Sequence, residues 1–159
     1  MEKNSRLRRV CLIPRVSGVG GMVSFKSRLV KGLTERGVAW TDDLADSPYG
    51  AILVIGGTRN LMGIWNARRK GVPVVQRLDG MNWVHRLRNP DGARRTSLRH
   101  ALRAEYGNLV LALIRSRLVQ GIVYQSEFSR SWWERAHGKT QVPSMVIYNG
   151  VDLDQYTPA

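Results

Sequence analysis

Two hydrophobic patterns alternate along the chain: short apolar runs, and longer stretches in which apolar residues recur every three or four positions. The short runs are typical of strands buried on both faces of a sheet, and the periodic stretches are typical of helices with one apolar side. The pattern predicts strands at Arg9–Pro14, Val38–Thr41, Ala51–Ile55, Val72–Gln76, Gly121–Tyr124 and Ser144–Tyr148. It predicts helices at Met22–Arg36, from an Asn60 cap to Lys70, at Leu98–Leu118, and from a Ser126 cap to about His137.

Strands that alternate with helices imply right-handed crossover connections and a parallel sheet. The sequence therefore predicts an α/β fold, a Rossmann-like parallel β-sheet with helices on both faces. A length of 159 residues fits a single domain, 1–159, with a substantial core. Ligands of such sheets bind beyond the carboxyl ends of the strands. Five strand exits are thus the candidate site: the glycine-rich loop after the first strand, Gly56–Arg59, Arg77–Gly80, Gln125–Ser126 and Asn149–Asp152.

The glycine-rich segment RVSGVGGMVSF, residues 15–25, has three interpretations. A nucleoside-triphosphate loop is excluded because no Lys-Ser or Lys-Thr pair follows the glycines at the required spacing. A dinucleotide fingerprint fits Gly18-x-Gly20, with Asp42 or Asp43 as the ribose-binding acid, but Val23 replaces the third glycine. The third interpretation is a loop whose amides approach an anionic substrate at a helix N-terminus. The structural alternative to all three is a tight strand-to-helix turn, which needs glycine only for its geometry.

Charge is the unusual feature of the composition. Lysine and arginine number 25 against 12 acidic residues, a formal net charge of +13. Such an excess attracts polyanions, namely nucleic acid, an anionic membrane surface or phosphorylated substrates. Arg95, Arg99 and Arg103 recur at helical spacing, and we expect this face to meet an anionic partner, although a solvated basic face is the alternative. No nucleic-acid-binding motif accompanies it, and a basic nucleic-acid-binding module remains a competing class.

The remaining composition points to a reducing, aqueous compartment. The single cysteine, Cys11, excludes an internal disulfide. No apolar run is long enough to span a membrane, and the charged N-terminus does not resemble a signal peptide. We expect a cytoplasmic protein, peripheral at the inner face of the membrane if the basic face binds lipid.

Three motifs together resemble the GT-B glycosyltransferases, in particular the retaining enzymes of family 4, or group 1. They are Gly18-x-Gly20-Gly21 after the first strand, YQSEFSRSW at 124–132 and IYNGVDLDQYTP at 147–158. The resemblance implies the N-terminal half of a GT-B fold, with residues 149–159 beginning a linker to a C-terminal donor domain. It implies transfer of a sugar from a nucleotide-sugar to a sugar, lipid or other acceptor. The Glu-x7-Glu signature of the donor domain is missing from this sequence, so the chain alone is expected to be inactive.

The resemblance also implies roles for individual residues. Gly20 and Gly21 match the Gly-Gly loop that contacts the donor diphosphate and the acceptor. Asp79 stands where many relatives carry a histidine, and it is the catalytic candidate because a carboxylate accepts hydrogen bonds from hydroxyl groups. Its alternative role is to cap the loop beside Gly80. Arg77 is expected to pair with Asp79 or with an anionic acceptor.

The other candidates are a substrate-contacting set and a hinge. The substrate-contacting set adds Gly80, His85 and Ser126, and the hinge consists of Asn149 and Gly150. No metal is expected, since the histidines show no ligand spacing, and no cofactor is expected besides the nucleotide-sugar, which is a substrate. Catalysis in such enzymes comes from positioning and from stabilising the leaving diphosphate. An NAD-type oxidoreductase domain is the competing enzyme class.

Overall fold

The computed structural model describes residues 9–83, 86–87 and 97–150. Its centre is a six-stranded sheet in the order β2-β1-β3-β4-β5-β6, and every neighbouring pair is parallel. The strands are β1 Arg9–Ile13, β2 Ala39–Thr41, β3 Ala51–Ile55, β4 Val74–Leu78, β5 Gly121–Tyr124 and β6 Ser144–Val146. The predicted α/β, Rossmann-like parallel sheet is confirmed.

Four α-helices connect the strands within the described part of the chain. They are α1 Gly21–Glu35, α2 Leu61–Arg69, α3 Leu98–Leu113 and α4 Glu127–His137, and a π-helical turn, Ile114–Leu118, continues α3. Asn60, Ser97 and Ser126 cap the last three helices by accepting a hydrogen bond from a backbone amide three residues on. None of the described helices is both long and apolar enough to cross a bilayer.

Adjacent residues of β4 show that helices cover both faces of the sheet. Gln76 donates a hydrogen bond to the carbonyl of Leu111 in α3, and the guanidinium of Arg77 lies over the ring of Phe25 in α1, 3.9 Å from its centroid. Because successive strand residues point to opposite faces, α1 and α3 lie on opposite sides. Right-handed crossovers give this arrangement because β2 is added on one side of β1 and β3 to β6 are added on the other side.

The hydrophobic core lies mainly on the side of α2, α3 and α4. Strand residues in register, such as Cys11, Ile52 and Val74, pack there with Ile64 of α2 and Trp133 of α4, all of which are buried. The face toward α1 buries Leu12 and Ile55 completely. The sheet is therefore a rigid layer whose carboxyl edge presents the loops.

Two strands begin later than the hydrophobic pattern predicts, for one physical reason. Gly37 and Gly71 follow helix ends with φ of 65° and 81°, and the amides of Val38 and Val72 then bond back to Leu33 and Ala67. These are Schellman motifs, in which the residue after the glycine closes the helix. Val38 and Val72 thus belong to helix caps, and β4 runs two residues beyond its predicted end, to Leu78.

Candidate functional site

A cavity of about 640 Å³ opens at the carboxyl edge of the sheet. From β1 the chain crosses to β2 in one direction, and from β3 it crosses to β4 in the opposite direction. The carboxyl edge between β1 and β3 is therefore the point at which the strand order reverses. Open α/β sheets bind their ligands at this crevice. The cavity is lined there by Pro14, Met22, Gly56, Gly57, Thr58, Arg59, Asp79, Gly80, Asn82, Arg103, Tyr106, Gly107, Val110 and Leu111.

The loop after β4 forms one rigid wall of this cavity. The carbonyl oxygen of Asp79 accepts hydrogen bonds from the indole Nε1 of Trp133 at 2.7 Å and from the hydroxyl of Ser129 at 2.9 Å. Further along, Asn82 and the buried Asn108 of α3 bond reciprocally at 3.0 and 2.8 Å. Backbone held by buried donors has little freedom, so this wall is preorganised.

Asp79 belongs to this wall and lines the cavity. Its side chain is one-third exposed, at 33%, and it forms an ion pair with Arg77. Burial raises the pKa of Asp79 above its ordinary value, and the nearby Arg77 acts in the opposite direction. The remaining carboxylate lone pairs can accept hydrogen bonds from hydroxyl groups of a ligand.

Arg77 lies inside β4 rather than in the cavity. It is 3% exposed, and besides Asp79 it donates to Gln125 Oε1 at 3.1 Å and to Asn149 Oδ1 at 2.9 Å. Burial lowers the pKa of its guanidinium, and Asp79 counteracts this effect. Arg77 therefore joins the exits of β4, β5 and β6, and the structure assigns it to holding Asp79 in place.

The glycine-rich loop borders the same edge. Gly20 precedes α1 with φ 155° and ψ 170°, a conformation essentially limited to glycine, and Gly21 begins the helix. A Cβ added at either glycine would meet no atom within 4 Å, and no side chain caps the helix. The next residue, Met22, lines the cavity. The start of α1 thus offers accessible amides beside it.

The other sequence candidates fall in different places. Gly80 and Arg103 line the cavity, whereas Ser126 caps α4 by accepting from Ser129 N at 3.1 Å and does not line it. Asn149 and Gly150 border a second cavity of about 380 Å³ beside α1. Arg99 is exposed on α3. His85 and Arg95, and the linker beyond residue 150, lie outside the described residues.

Sequence reasoning missed five cavity residues that lie outside the strand exits. One follows β4 and four belong to α3, and nothing in their spacing predicts that they meet at one cavity: Asn82, Tyr106, Gly107, Val110 and Leu111. Arg59 and Thr58 lie within the strand exit Gly56–Arg59, and the strand-exit rule selects that segment without naming them.

The two aspartates of a possible dinucleotide site are engaged in ion pairs. Arg15 donates to Asp42 at 3.1 Å and to Asp43 at 3.0 Å, and the buried Lys26 donates to Asp42 at 3.0 Å. The hydrogen bond from Lys26 is the main cause that lowers the pKa of Asp42. Both carboxylate oxygens of Asp42 therefore already accept hydrogen bonds from cations of the chain.

Comparison with known proteins adds no relative. No family model, no curated protein and no solved structure matches the chain significantly. The fold itself defines a class, an α/β domain of doubly wound topology with a cavity at its switch point.

Proposed function

We propose that this chain is the acceptor-side domain of a retaining glycosyltransferase that uses a nucleotide-sugar donor. The observation that carries the proposal is the cavity at the switch point, which is lined by the partly exposed Asp79 together with Arg59 and Arg103. Hydroxyl-binding groups beside cationic groups suit a sugar or polyol that carries an anionic substituent. The motifs that resemble group-1 enzymes supply the reaction class.

In this proposal Asp79 positions the acceptor. Its carboxylate accepts a hydrogen bond from a hydroxyl of the acceptor other than the reacting one, and Arg77 keeps that carboxylate oriented. The sugar leaves the donor diphosphate as the acceptor oxygen bonds to it, and the hydroxyl proton passes to the departing phosphate. Positioning of this kind accelerates transfer because it removes the entropic cost of bringing the two substrates together.

The glycine-rich loop then serves the donor. Accessible amides at the start of α1 attract negative charge, which suits a diphosphate approaching Gly20 and Gly21. Most contacts to the nucleotide belong, by the resemblance, to a second domain. Binding of the acceptor is therefore a more direct test of this domain than turnover.

The test uses ligand-observed NMR with three probes at physiological ionic strength: N-acetylglucosamine 1-phosphate, NAD and a short DNA duplex. We expect saturable binding of the sugar phosphate, weakened about tenfold by Asp79→Asn or Arg103→Gln, since each removes a hydrogen bond that involves a charged group. Arg135→Gln on α4, an exposed arginine outside the cavity, is the matched control.

Two results would overturn the proposal. Saturable binding of NAD without binding of the sugar phosphate would favour the oxidoreductase class. Binding of the duplex alone, retained as salt is raised, would favour a nucleic-acid-binding module.

A further inference from the structure

Helix α3 exposes an apolar stripe along its outer side. The stripe residues follow one another at intervals of three or four positions, so they lie in one row on the helix surface. They are Leu98, Leu102, Tyr106, Leu109 and Leu113, with exposed fractions of 62, 63, 55, 66 and 43%. A row of four leucines and a tyrosine in water is a large apolar surface for a protein of this size.

The helix packs on the sheet through a different side. Ala101 and Asn108 are its buried residues, and Leu111 is partly buried against the core. The stripe therefore makes no contribution to the core, although a periodic leucine row on the longest helix is normally the buried side. An exposed apolar row of this size indicates a surface that another molecule covers.

Two arginines border the stripe. Arg99 and Arg103 each follow a stripe leucine by one position, which places them next to the row around the helix. Both are exposed, and within the described part of the chain neither forms an ion pair. The row is thus an amphipathic surface, apolar in the middle and cationic along one margin, of the kind that lies in a membrane interface.

We propose that this stripe docks the domain on a bilayer that contains anionic lipid. The leucines enter the boundary between head groups and acyl chains, and Arg99 and Arg103 bind lipid phosphates. The inference also narrows the acceptor, and in this part it rests on the proposed function. Tyr106 and Arg103 belong both to this surface and to the cavity wall, so the acceptor is an amphiphile whose anionic head group reaches the cavity from the membrane.

A second copy of the chain is a poorer occupant. Two copies joined through the stripe would bring together two chains that each carry a formal charge of +13. Like charges at such close range oppose association, whereas the same charges attract anionic lipid. Charge complementarity therefore selects the membrane.

The experiment is co-sedimentation of the chain with two kinds of vesicle. One is phosphatidylcholine alone, and in the other about a quarter of the lipid is phosphatidylglycerol. We expect binding to the second kind only. Arg99→Gln with Arg103→Gln should weaken it about 25-fold, since each arginine near an anionic surface contributes roughly fivefold. Leu102→Asn with Leu109→Asn should weaken it at least tenfold, because apolar surface no longer enters the bilayer.

Matched controls separate this surface from general charge and hydrophobicity. Arg135→Gln with Lys139→Gln removes the same charge from the opposite edge of the sheet, and Met62→Asn removes an exposed apolar side chain from α2. Both should bind vesicles nearly as the parent does. Circular dichroism and thermal unfolding verify that all variants fold, which is expected because the altered side chains are exposed.

Three outcomes would overturn the docking proposal: no binding at low salt, equal loss in the control variants, or binding insensitive to the two leucine changes. A dimer that Leu102→Asn with Leu109→Asn dissolves, without vesicle binding, would assign the stripe to self-association. The leucines do not line the cavity, so these changes should leave binding of soluble sugar phosphate intact. Vesicle binding without sugar-phosphate binding would retain the docking surface and reject the proposed transferase.

Discussion

At the scale of single residues, Arg77 and Asp42 show how burial decides what a charge does. Arg77 is enclosed by Phe25 and by three polar partners, and it sits in the sheet rather than in the cavity. Asp42 lies at the end of β2 between two cations. The buried Arg77 and Lys26 are each compensated by a carboxylate, so the loss of that carboxylate leaves a buried charge without its counter-ion, which is energetically costly.

Replacement of Arg77 by methionine is expected to lower the free energy of unfolding by about 3 kcal/mol, because a buried ion pair and two further hydrogen bonds are lost. Arg77→Lys retains the charge but not the planar guanidinium group, and its free energy of unfolding should lie between those of the parent and of Arg77→Met. Denaturant unfolding measures both. A loss below about 1 kcal/mol for Arg77→Met would contradict the role of this residue as a link between three strand exits.

The pH dependence of stability should reveal Asp42. Its pKa is lowered in the folded chain from an ordinary 3.8, so its ionised form stabilises the fold above that value. This stabilisation is lost as pH falls through the folded pKa. The parent should therefore lose more stability than Asp42→Asn on acidification below about pH 4, when thermal unfolding is followed across pH. Parallel pH profiles for the two proteins would argue against the ion pairs of Asp42.

At the scale of elements, the turn between β1 and α1 combines two glycines at positive φ, Gly18 and Gly20, with a third, Gly21, that is not constrained. Gly20→Ala should destabilise the fold by about 1–3 kcal/mol, because its φ of 155° is open essentially to glycine alone. Gly21→Ala should be neutral or stabilising by up to about 1 kcal/mol, since alanine favours helix and its methyl group meets nothing. Chemical denaturation compares the two variants with the parent. Equal effects at both positions would show that the backbone of the turn differs from that described.

The boundaries between helix ends and the following strands are difficult to predict from the apolar pattern. The hydrophobic pattern assigns Val38 and Val72 to strands because both are β-branched and apolar. Their amides instead satisfy carbonyls of the preceding helices. The glycines before them indicate the caps correctly, but apolar periodicity alone cannot separate a residue that closes a helix from one that opens a strand.

At the scale of the whole molecule, the net charge bears on which partners the chain attracts and says little about how the chain folds. A net charge of +13 attracts polyanions in general, and the docking surface that we propose differs from this overall field by its leucine row beside Arg99 and Arg103. Salt screens the first effect over about a Debye length and leaves apolar insertion largely intact. Binding tests at physiological ionic strength thus report on particular surfaces rather than on the overall field.

The sequence by itself determined the class of fold, the approximate extent of its strands and helices, and the strand exits where a site could form. These follow from local periodicity and from the rule that crossovers are right-handed, both of which act over a few residues or along one connection. The strand order, the burial of Arg77 and the outward turn of the α3 leucines were decided by the tertiary structure alone. Each depends on which distant element covers a given surface, and the side of a helix that meets the sheet is a property of packing rather than of the pattern on that helix.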